Sequence, residues 1–337
     1  MSVASQVPEG LGPKTSKERL QRIALRQAWT VGVIAILVIL LIIEANVAPT
    51  FTSFDVQSLV IAALPLAFAA MGQSIVVIAR GLDLSIGAVM ALTNVIAASL
   101  MEGKTSLGSA LLISALVLVI GVVIGTINGL AVTLSGVPDI IATLALGFVW
   151  SGVALIVMAT PGGGSPTDFQ TLSTGSSVWE WIPNGLLILA GVFIVVWIPL
   201  RSRRLGLRMF AVGSDPVAAE LSGVSVNRTR VLAYTFGGLF AAFGGLALTS
   251  TTGIGSPLSG DFYTLTSVAA VCIGGVSLAG GRGGLLGPII AAFILSAAVT
   301  VLTFLGVDAN YGQVIQGALI VVVVMLGGLL LKKRGDA

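Results

Sequence analysis

Residues able to carry out acid–base, nucleophilic or metal chemistry are scarce in this sequence. It contains no histidine and a single cysteine, Cys272, which lies within an apolar run. The lack of histidine excludes a histidine general base, a histidine-containing triad and histidine metal ligands. A lone cysteine cannot form an internal disulfide and argues against a zinc site. The reactive side chains therefore indicate neither a catalytic centre nor a metal centre.

The composition is that of an integral membrane protein. Of the 337 residues, 56% are hydrophobic and 9% are charged, whereas soluble proteins carry about 25% charged residues. The 43 glycines suit transmembrane helices, in which small residues let two backbones approach closely. Because no soluble fold can bury this much apolar surface, the bilayer must be the solvent for much of the chain.

The apolar segments predict an all-α, polytopic membrane protein with about ten transmembrane helices. A bilayer core about 30 Å thick needs roughly 20 apolar residues per helix. Ten segments fit this length: 29–48, 57–79, 84–101, 107–134, 138–160, 182–200, 230–251, 262–280, 285–305 and 311–331. The segments 84–101 and 262–280 are rich in glycine and serine, so we consider them candidates for broken or re-entrant helices.

The positions of lysine and arginine predict the topology. With the N-terminus inside and ten helices, all of the 17 Lys and Arg residues except Lys104 fall in cytoplasmic segments, as the positive-inside rule requires. A transmembrane domain, 29–331, would then lie between a basic cytoplasmic segment, 1–28, and a basic cytoplasmic tail, 332–337. The basic residues are not grouped with stacking aromatics, which argues against nucleic acid as a partner.

Acidic residues are rare in the apolar segments. Glu44, Asp83 and Asp139 each lie near a predicted helix end. Carriers driven by protons or sodium ions usually bury acidic residues at mid-membrane. We therefore expect the energy for any transport to come from a source other than ion-coupling groups in this chain. The alternative function is a secondary carrier or channel that works alone. An intramembrane enzyme is a third hypothesis, which the missing histidines disfavour.

The longest predicted cytoplasmic connection, 201–229, contains the signals of a short helix. Asp215 suits the N-cap, Pro216 the first helical position and Gly223 the position after the helix end. This helix would carry a small apolar face made of Val217, Ala218 and Leu221. Either a partner protein or the bilayer surface can cover such a face.

Glycine marks two further segments. In the first, Gly81 and Gly87 allow tight turns, and Asp83 or Ser85 can cap the helix that follows; a simple helix–turn–helix corner is the alternative. In the second, six of the eleven residues 274–284 are glycine. This run predicts sharp bends and close helix contacts rather than phosphate binding, because the Gly-Lys-Ser/Thr ending of a P-loop is missing.

Four ordered motifs resemble the permease subunits of ABC importers of the ribose, xylose and arabinose type. The signature Gly-Leu-Asp-Leu-Ser-Ile-Gly occupies 81–87, and the element Val-Pro-Asp-Ile-Ile-Ala-Thr-Leu occupies 137–144. The loop pattern of the family matches 211–224, and its glycine-rich run matches 273–287. The resemblance covers about residues 30–331.

The resemblance implies a four-part importer in the bacterial inner membrane. Two permease chains, identical or paired with a sister chain, would form the pathway. A cytoplasmic ATPase would dock on the loops at 211–224, and an extracytoplasmic binding protein would deliver a monosaccharide or sugar-like solute. ATP and Mg²⁺ would bind to the ATPase, so this chain would carry no cofactor and hydrolyse nothing.

The candidate site residues form four groups. The ATPase-coupling loop contains Gly213, Asp215, Pro216, Ala218, Ala219, Leu221 and Gly223. The motif residues near the cytoplasmic gate are Gly81, Asp83, Ser85, Gly87, Pro138 and Thr143. The glycine-rich turn contains Gly274, Gly275, Gly280, Gly281, Gly283 and Gly287. The solute-path candidates are Gln73, Asn94, Asn128 and Gln313, for which hydrogen bonding between helices, at about 0.6 kcal/mol each, is the alternative role.

Three residues depart from the family pattern. Asp215 replaces the usual asparagine but still suits an N-cap. Asp139 stands where an aromatic or small residue is common, and Arg80 where glycine or threonine is common. Arg80 and Asp139 both lie near the predicted cytoplasmic face, so we expect them near the gate. The identity of the solute stays open.

Overall fold

A computed structural model describes residues 16–48 and 50–307, with the single positions 311, 314, 317 and 318. Every regular element of more than one residue in these ranges is a helix. The predicted segment 311–331, apart from those single positions, its candidate Gln313 and the tail 332–337 lie outside the described residues.

The helices of the described residues follow one another with short connections. They are α1 Ser16–Val47, α2 Ser53–Ile78, α3 Ile86–Met101, α4 Leu107–Ser135, α5 Asp139–Val157, α6 Thr167–Thr174, α7 Asn184–Val192, α8 Ile198–Ser202, α9 Arg204–Ser214, α10 Pro216–Leu221, α11 Val226–Thr252, α12 Asp261–Ile273 and α13 Leu286–Phe304. A π-helical turn, Phe193–Trp197, joins α7 to α8.

Within the described ranges, seven helical segments are long and apolar enough to cross a membrane. These are Trp29–Val47, Ser53–Ile78, Leu107–Ser135, Asp139–Val157, Asn184–Ser202, Val226–Thr252 and Leu286–Phe304. The two predicted segments rich in glycine and serine contain the short helices α3 and α12, of 16 and 13 residues. At a rise of 1.5 Å per residue they extend about 24 and 20 Å, less than the bilayer core of about 30 Å.

The centre of the bundle is formed by α2 and α11. Helix α11 packs against α2, α3 and α4, and close approach is possible because small residues face each other. A side chain at Gly238 of α11, for example, would collide with Gly121 and Gly125 of α4. The outward faces of α4 and α5 instead expose large apolar residues such as Leu112 and Ile156, which suit contact with lipid.

Connections that follow alternate helices meet at the two ends of the bundle. At one end, the backbone N–H of Gly281 donates to the carbonyl of Ile78 at 2.9 Å. At the other end, the N–H of Gly164 donates to the carbonyl of Ala98 at 3.1 Å. The first pair joins the predicted cytoplasmic end of α2 to the connection between α12 and α13, and the second pair lies at the predicted outer side.

Candidate functional site

Three segments that the sequence marks as motifs meet at one end of the bundle. Gly213, near the end of α9, lies against the carbonyl oxygen of Ile78 and the backbone of Gly281, with no room for a side chain. Gly280 lies beside the carbonyl of Gly213 and the Cβ of Arg80. The 201–229 loop therefore rests on the end of α2 and on the glycine-rich turn.

The short helix α10 begins as the sequence predicts. Asp215 is its N-cap, and one carboxylate oxygen accepts hydrogen bonds from the backbone N–H groups of Val217 and Ala218 at 3.0 and 3.1 Å. Pro216 occupies the first turn, where its missing N–H has no partner to lose. Because α9 ends at Ser214, the two helices are joined through a single residue.

The end of α10 is a Schellman motif. Gly223 has φ 80°, which glycine adopts without strain. Its N–H donates to the carbonyl of Glu220 at 2.9 Å, and the N–H of Val224 donates to the carbonyl of Ala219 at 3.0 Å. These two bonds satisfy carbonyl groups that a helix end would leave unpaired, so the predicted role of Gly223 is confirmed.

The predicted apolar face of α10 is exposed, but Ala219, another candidate of the coupling loop, is not part of it. Val217 and Leu221 are 69% and 86% exposed, and Ala218 is also exposed. Ala219 is instead buried, at 5% exposure, because it lies on the side of the helix that packs against the rest of the chain. We define the docking face as Val217, Ala218 and Leu221.

The turn that contains Asp83 is buried and lies beneath this loop. One Asp83 carboxylate oxygen accepts from the backbone N–H and the hydroxyl of Ser85 at 2.8 and 2.5 Å. The Ser85 hydroxyl accepts from the amide of Asn128 at 2.7 Å, and the amide oxygen of Asn128 accepts from the Trp150 indole at 2.9 Å. The chain of bonds connects the turn to α4 and α5.

The prediction that Asp83 or Ser85 caps α3 is wrong in its detail. Ser85 is at the N-cap, but its side chain makes no capping hydrogen bond to the helix. Asp83 closes a local turn on Ser85 and does not reach the N–H groups of the first turn of α3. The Asp83 side chain stabilises the turn itself, and the Ser85 hydroxyl joins the turn to Asn128 of α4.

Two further side chains hold the same turn. The amide of Gln73, oriented to satisfy both groups, donates to the backbone carbonyl of Asp83 at 2.9 Å and accepts from its N–H at 3.3 Å. The hydroxyl of Thr143 accepts from the N–H of Leu84 at 3.0 Å and lies 3.3 Å from the carbonyl of Leu82. Thr143 lies on the first turns of α5, which begins directly after Pro138.

An ion pair that sequence reasoning did not identify lies beside this turn. Arg230, near the start of α11, contacts both carboxylate oxygens of Asp139 at the start of α5. Tyr234 donates from its hydroxyl to Asp139 at 2.9 Å and reaches the carbonyl of Leu82 at 3.2 Å. A side chain at Gly81 would lie 2.9 Å from the Tyr234 oxygen. The one sequence feature that pointed to this ion pair was Asp139, which stands where an aromatic or small residue is common in the family motif.

The glycine-rich turn has the sharp bends that its sequence predicts. Positive φ angles occur at four of its residues: Gly275 (78°), Gly280 (87°), Gly281 (68°) and Gly283 (129°). Gly274 and Gly287 are in close backbone contact with each other, as Gly87 is with Gly260. The predicted close helix contacts are therefore present.

The solute-path candidates in the described residues are all bonded inside the protein. Asn94 donates to the Thr249 hydroxyl at 2.9 Å and to the Ile254 carbonyl at 3.2 Å, and accepts from the N–H of Ser256 at 2.7 Å. Gln73, Asn94 and Asn128 are each at most 1% exposed. Their bonds match the alternative role, hydrogen bonding within the bundle.

Comparison with known proteins agrees with this architecture. A family described as "Branched-chain amino acid transport system / permease component" matches residues 56–324. The ribose import permease protein RbsC of Escherichia coli (strain K12) is 30% identical over 311 residues, 89% of this chain and 94% of the relative. RbsC of Haemophilus influenzae is 32% identical over 319 residues, 93% of this chain and 96% of the relative.

A third relative is named for a different substrate. The galactose/methyl galactoside import permease protein MglC of Escherichia coli (strain K12) is 29% identical over 314 residues, 88% of this chain and 94% of the relative. No solved structure matches the chain significantly. Because the family match covers most of the chain, the protein belongs to this family of multi-pass, plasma-membrane permease subunits of ABC importers.

Proposed function

We propose that the chain forms the translocation pathway for a monosaccharide or sugar-like solute delivered by an extracytoplasmic binding protein. The relatives described above are import permeases for ribose and for galactose or methyl galactoside, and this chain covers nearly their whole length. A second permease chain, the same or a sister, would complete the pathway.

The docking face of α10 is the observation that supports an ATP-driven mechanism most directly. A capped two-turn helix exposes Val217, Ala218 and Leu221 while α9 rests on the end of α2 and on the glycine-rich turn. A cytoplasmic ATPase that covers this face would push on a loop already in contact with the membrane helices. In this arrangement the ATPase, not this chain, holds ATP and Mg²⁺.

The sparse acidic residues support the same source of energy. In the described candidate spans, Glu44, Asp55 and Asp139 are the acidic residues, and each lies within the first or last turns of its helix. A proton- or sodium-driven carrier usually places such groups at mid-membrane. ATP hydrolysis in a separate subunit is therefore the better-supported driving force.

The proposed topology has ten helices with both termini in the cytoplasm. The contact of Ile78 with Gly281 supports it, because the end of α2 and the connection between α12 and α13 then both lie at the cytoplasmic side. The contact of Ala98 with Gly164 supports it in the same way for the outer side. In this topology α3 and α12 are each too short to cross the membrane alone, and the irregular segments beside them complete the crossing.

Reconstitution tests the proposal. The permease, its ATPase and the binding protein encoded with it are assembled in liposomes, and uptake of radiolabelled pentoses, hexoses and polyols is measured, with leucine as a comparison because the family description names branched-chain amino acids. We expect uptake of one sugar that requires ATP and the binding protein. Uptake by the permease alone, driven by a proton or sodium gradient, would contradict the importer and favour the secondary carrier.

A further inference from the structure

We infer that the ion pair between Asp139 and Arg230 transmits movement of α10 to the buried turn Leu82–Ser85. The inference rests on the proposed function, because it needs an ATPase that moves the docking face. It assigns a positioning role to two residues on different helices. Neither residue contacts solute or nucleotide in this assignment.

The first link runs from α10 to Arg230. The Schellman motif at Gly223 closes the end of α10, and Ser225, two residues further on, is the N-cap of α11 and accepts from the N–H of Arg228. Arg230 lies in the first turns of α11, directly after this junction. Because only residues 222–225 separate α10 from α11, and each helix end is closed by its own hydrogen bonds, a displacement of α10 also displaces the start of α11.

The second link is the ion pair itself. Arg230 and Asp139 side chains are only 22% and 18% exposed, so bulk water screens their attraction weakly. Helix α5 packs against α3 and α4, and the pair joins its first residue to α11. Loss of one charge would leave the other partly buried without its counter-ion, which is costly. The two helix ends are therefore held together by charge.

The third link reaches the buried turn. From α11, the Tyr234 hydroxyl lies within hydrogen-bond distance of both Asp139 and the carbonyl of Leu82. From α5, Thr143 accepts from the N–H of Leu84. Besides its bonds to α2 and α4, the turn is thus bonded to α5 and α11, the two helices whose ends the Asp139–Arg230 pair joins. A change in the spacing of those helices must change the position of the turn.

The experiment measures solute imported per ATP hydrolysed in the reconstituted importer. The variants are Asp139→Asn, Arg230→Gln and the exchanged double variant Asp139→Arg with Arg230→Asp. Arg228→Gln is the matched control, since it removes the same charge from the same turn of α11 but is exposed. ATPase co-purification and melting temperature are measured for every variant.

We expect each single variant to retain the ATPase and to hydrolyse ATP while its solute-to-ATP ratio falls by about three- to thirtyfold, the range of typical coupling energies. The double variant should recover a large part of that loss, and Arg228→Gln should match the unaltered chain. Recovery by exchange is expected only if the attraction between the two positions matters.

Two results would overturn the inference. One is an unchanged solute-to-ATP ratio in both single variants. The other is a double variant no better than the singles while its abundance and melting temperature are normal. If the melting temperature falls while the ratio stays unchanged, the first result applies and the pair has only a structural role. Failure of the proposed function is distinct, because the unaltered chain would then show no ATP-dependent uptake.

Discussion

Gly213 of α9 lies so close to the carbonyl oxygen of Ile78 that a methyl group at position 213 would collide with it. The collision is with backbone, so no side-chain rotation relieves it. Through this contact the 201–229 loop packs directly against the end of α2. The fit between a helix and a backbone carbonyl makes position 213 sensitive to the smallest substitution.

We predict that Gly213→Ala destabilises the protein. The substitution adds helix propensity, worth up to about 1 kcal/mol, but forces apart two backbones at a cost of about 1–3 kcal/mol. Gly152→Ala is the matched control, because Gly152 is also helical but has open space around it. Melting temperature in detergent is the measurement. Equal melting temperatures for the two variants would contradict the close contact at Gly213.

A charge on the docking face should prevent ATPase association. Ala218→Glu and Leu221→Asp place a carboxylate where the proposed interface excludes water, at a cost of several kcal/mol. Membrane insertion should be unaffected, because both residues are exposed and lie outside the candidate spans. Co-purification with the ATPase and solute uptake are measured, with membrane abundance as a check.

The control for the docking-face variants is Asn227→Asp, which adds a negative charge to an exposed position in the first turn of α11. It should leave association intact, because the positive end of the helix dipole tolerates an acidic residue. If Ala218→Glu and Leu221→Asp bind the ATPase and transport at the unaltered rate, α10 is not the docking element.

Single-cysteine labelling tests the topology. In a Cys272→Ser background, Glu220→Cys and Glu180→Cys give a matched pair, since both glutamates are exposed and lie at opposite predicted sides. An impermeant maleimide should label position 180 in intact cells and position 220 only after the cells are opened. The reverse pattern would invert the topology, and labelling of both from outside would refute the helix alternation.

Arg80 has φ 63° and is the one non-glycine residue with positive φ in the described part of the chain. For an L-residue this conformation costs roughly 1–2 kcal/mol, so Arg80→Gly should raise the melting temperature. Arg80→Ala removes the same exposed charge but keeps the Cβ, and should give no such increase. An equal rise in melting temperature in both variants would show that loss of the charge, and not relief of the backbone, causes the effect.

The features that the sequence predicts well depend on residues within a few positions of one another. The length of each apolar segment determines that it is a helix in the membrane. The caps of α10 depend on Asp215 and Gly223 and on neighbours at most five residues away. Such signals do not depend on the rest of the fold, so the seven long apolar helices and the α10 caps could be placed from sequence.

The tertiary structure decides which side chains meet across the bundle. Asp139 and Arg230 are 91 positions apart, and their pairing depends on the depth and rotation of α5 and α11. Packing between helices also determines that Ala219 is buried and which partners the buried Asn94 and Asn128 side chains bind. Lipid-facing and protein-facing sides of a membrane helix are both apolar, so hydrophobic periodicity does not specify its rotation, and only packing between helices does.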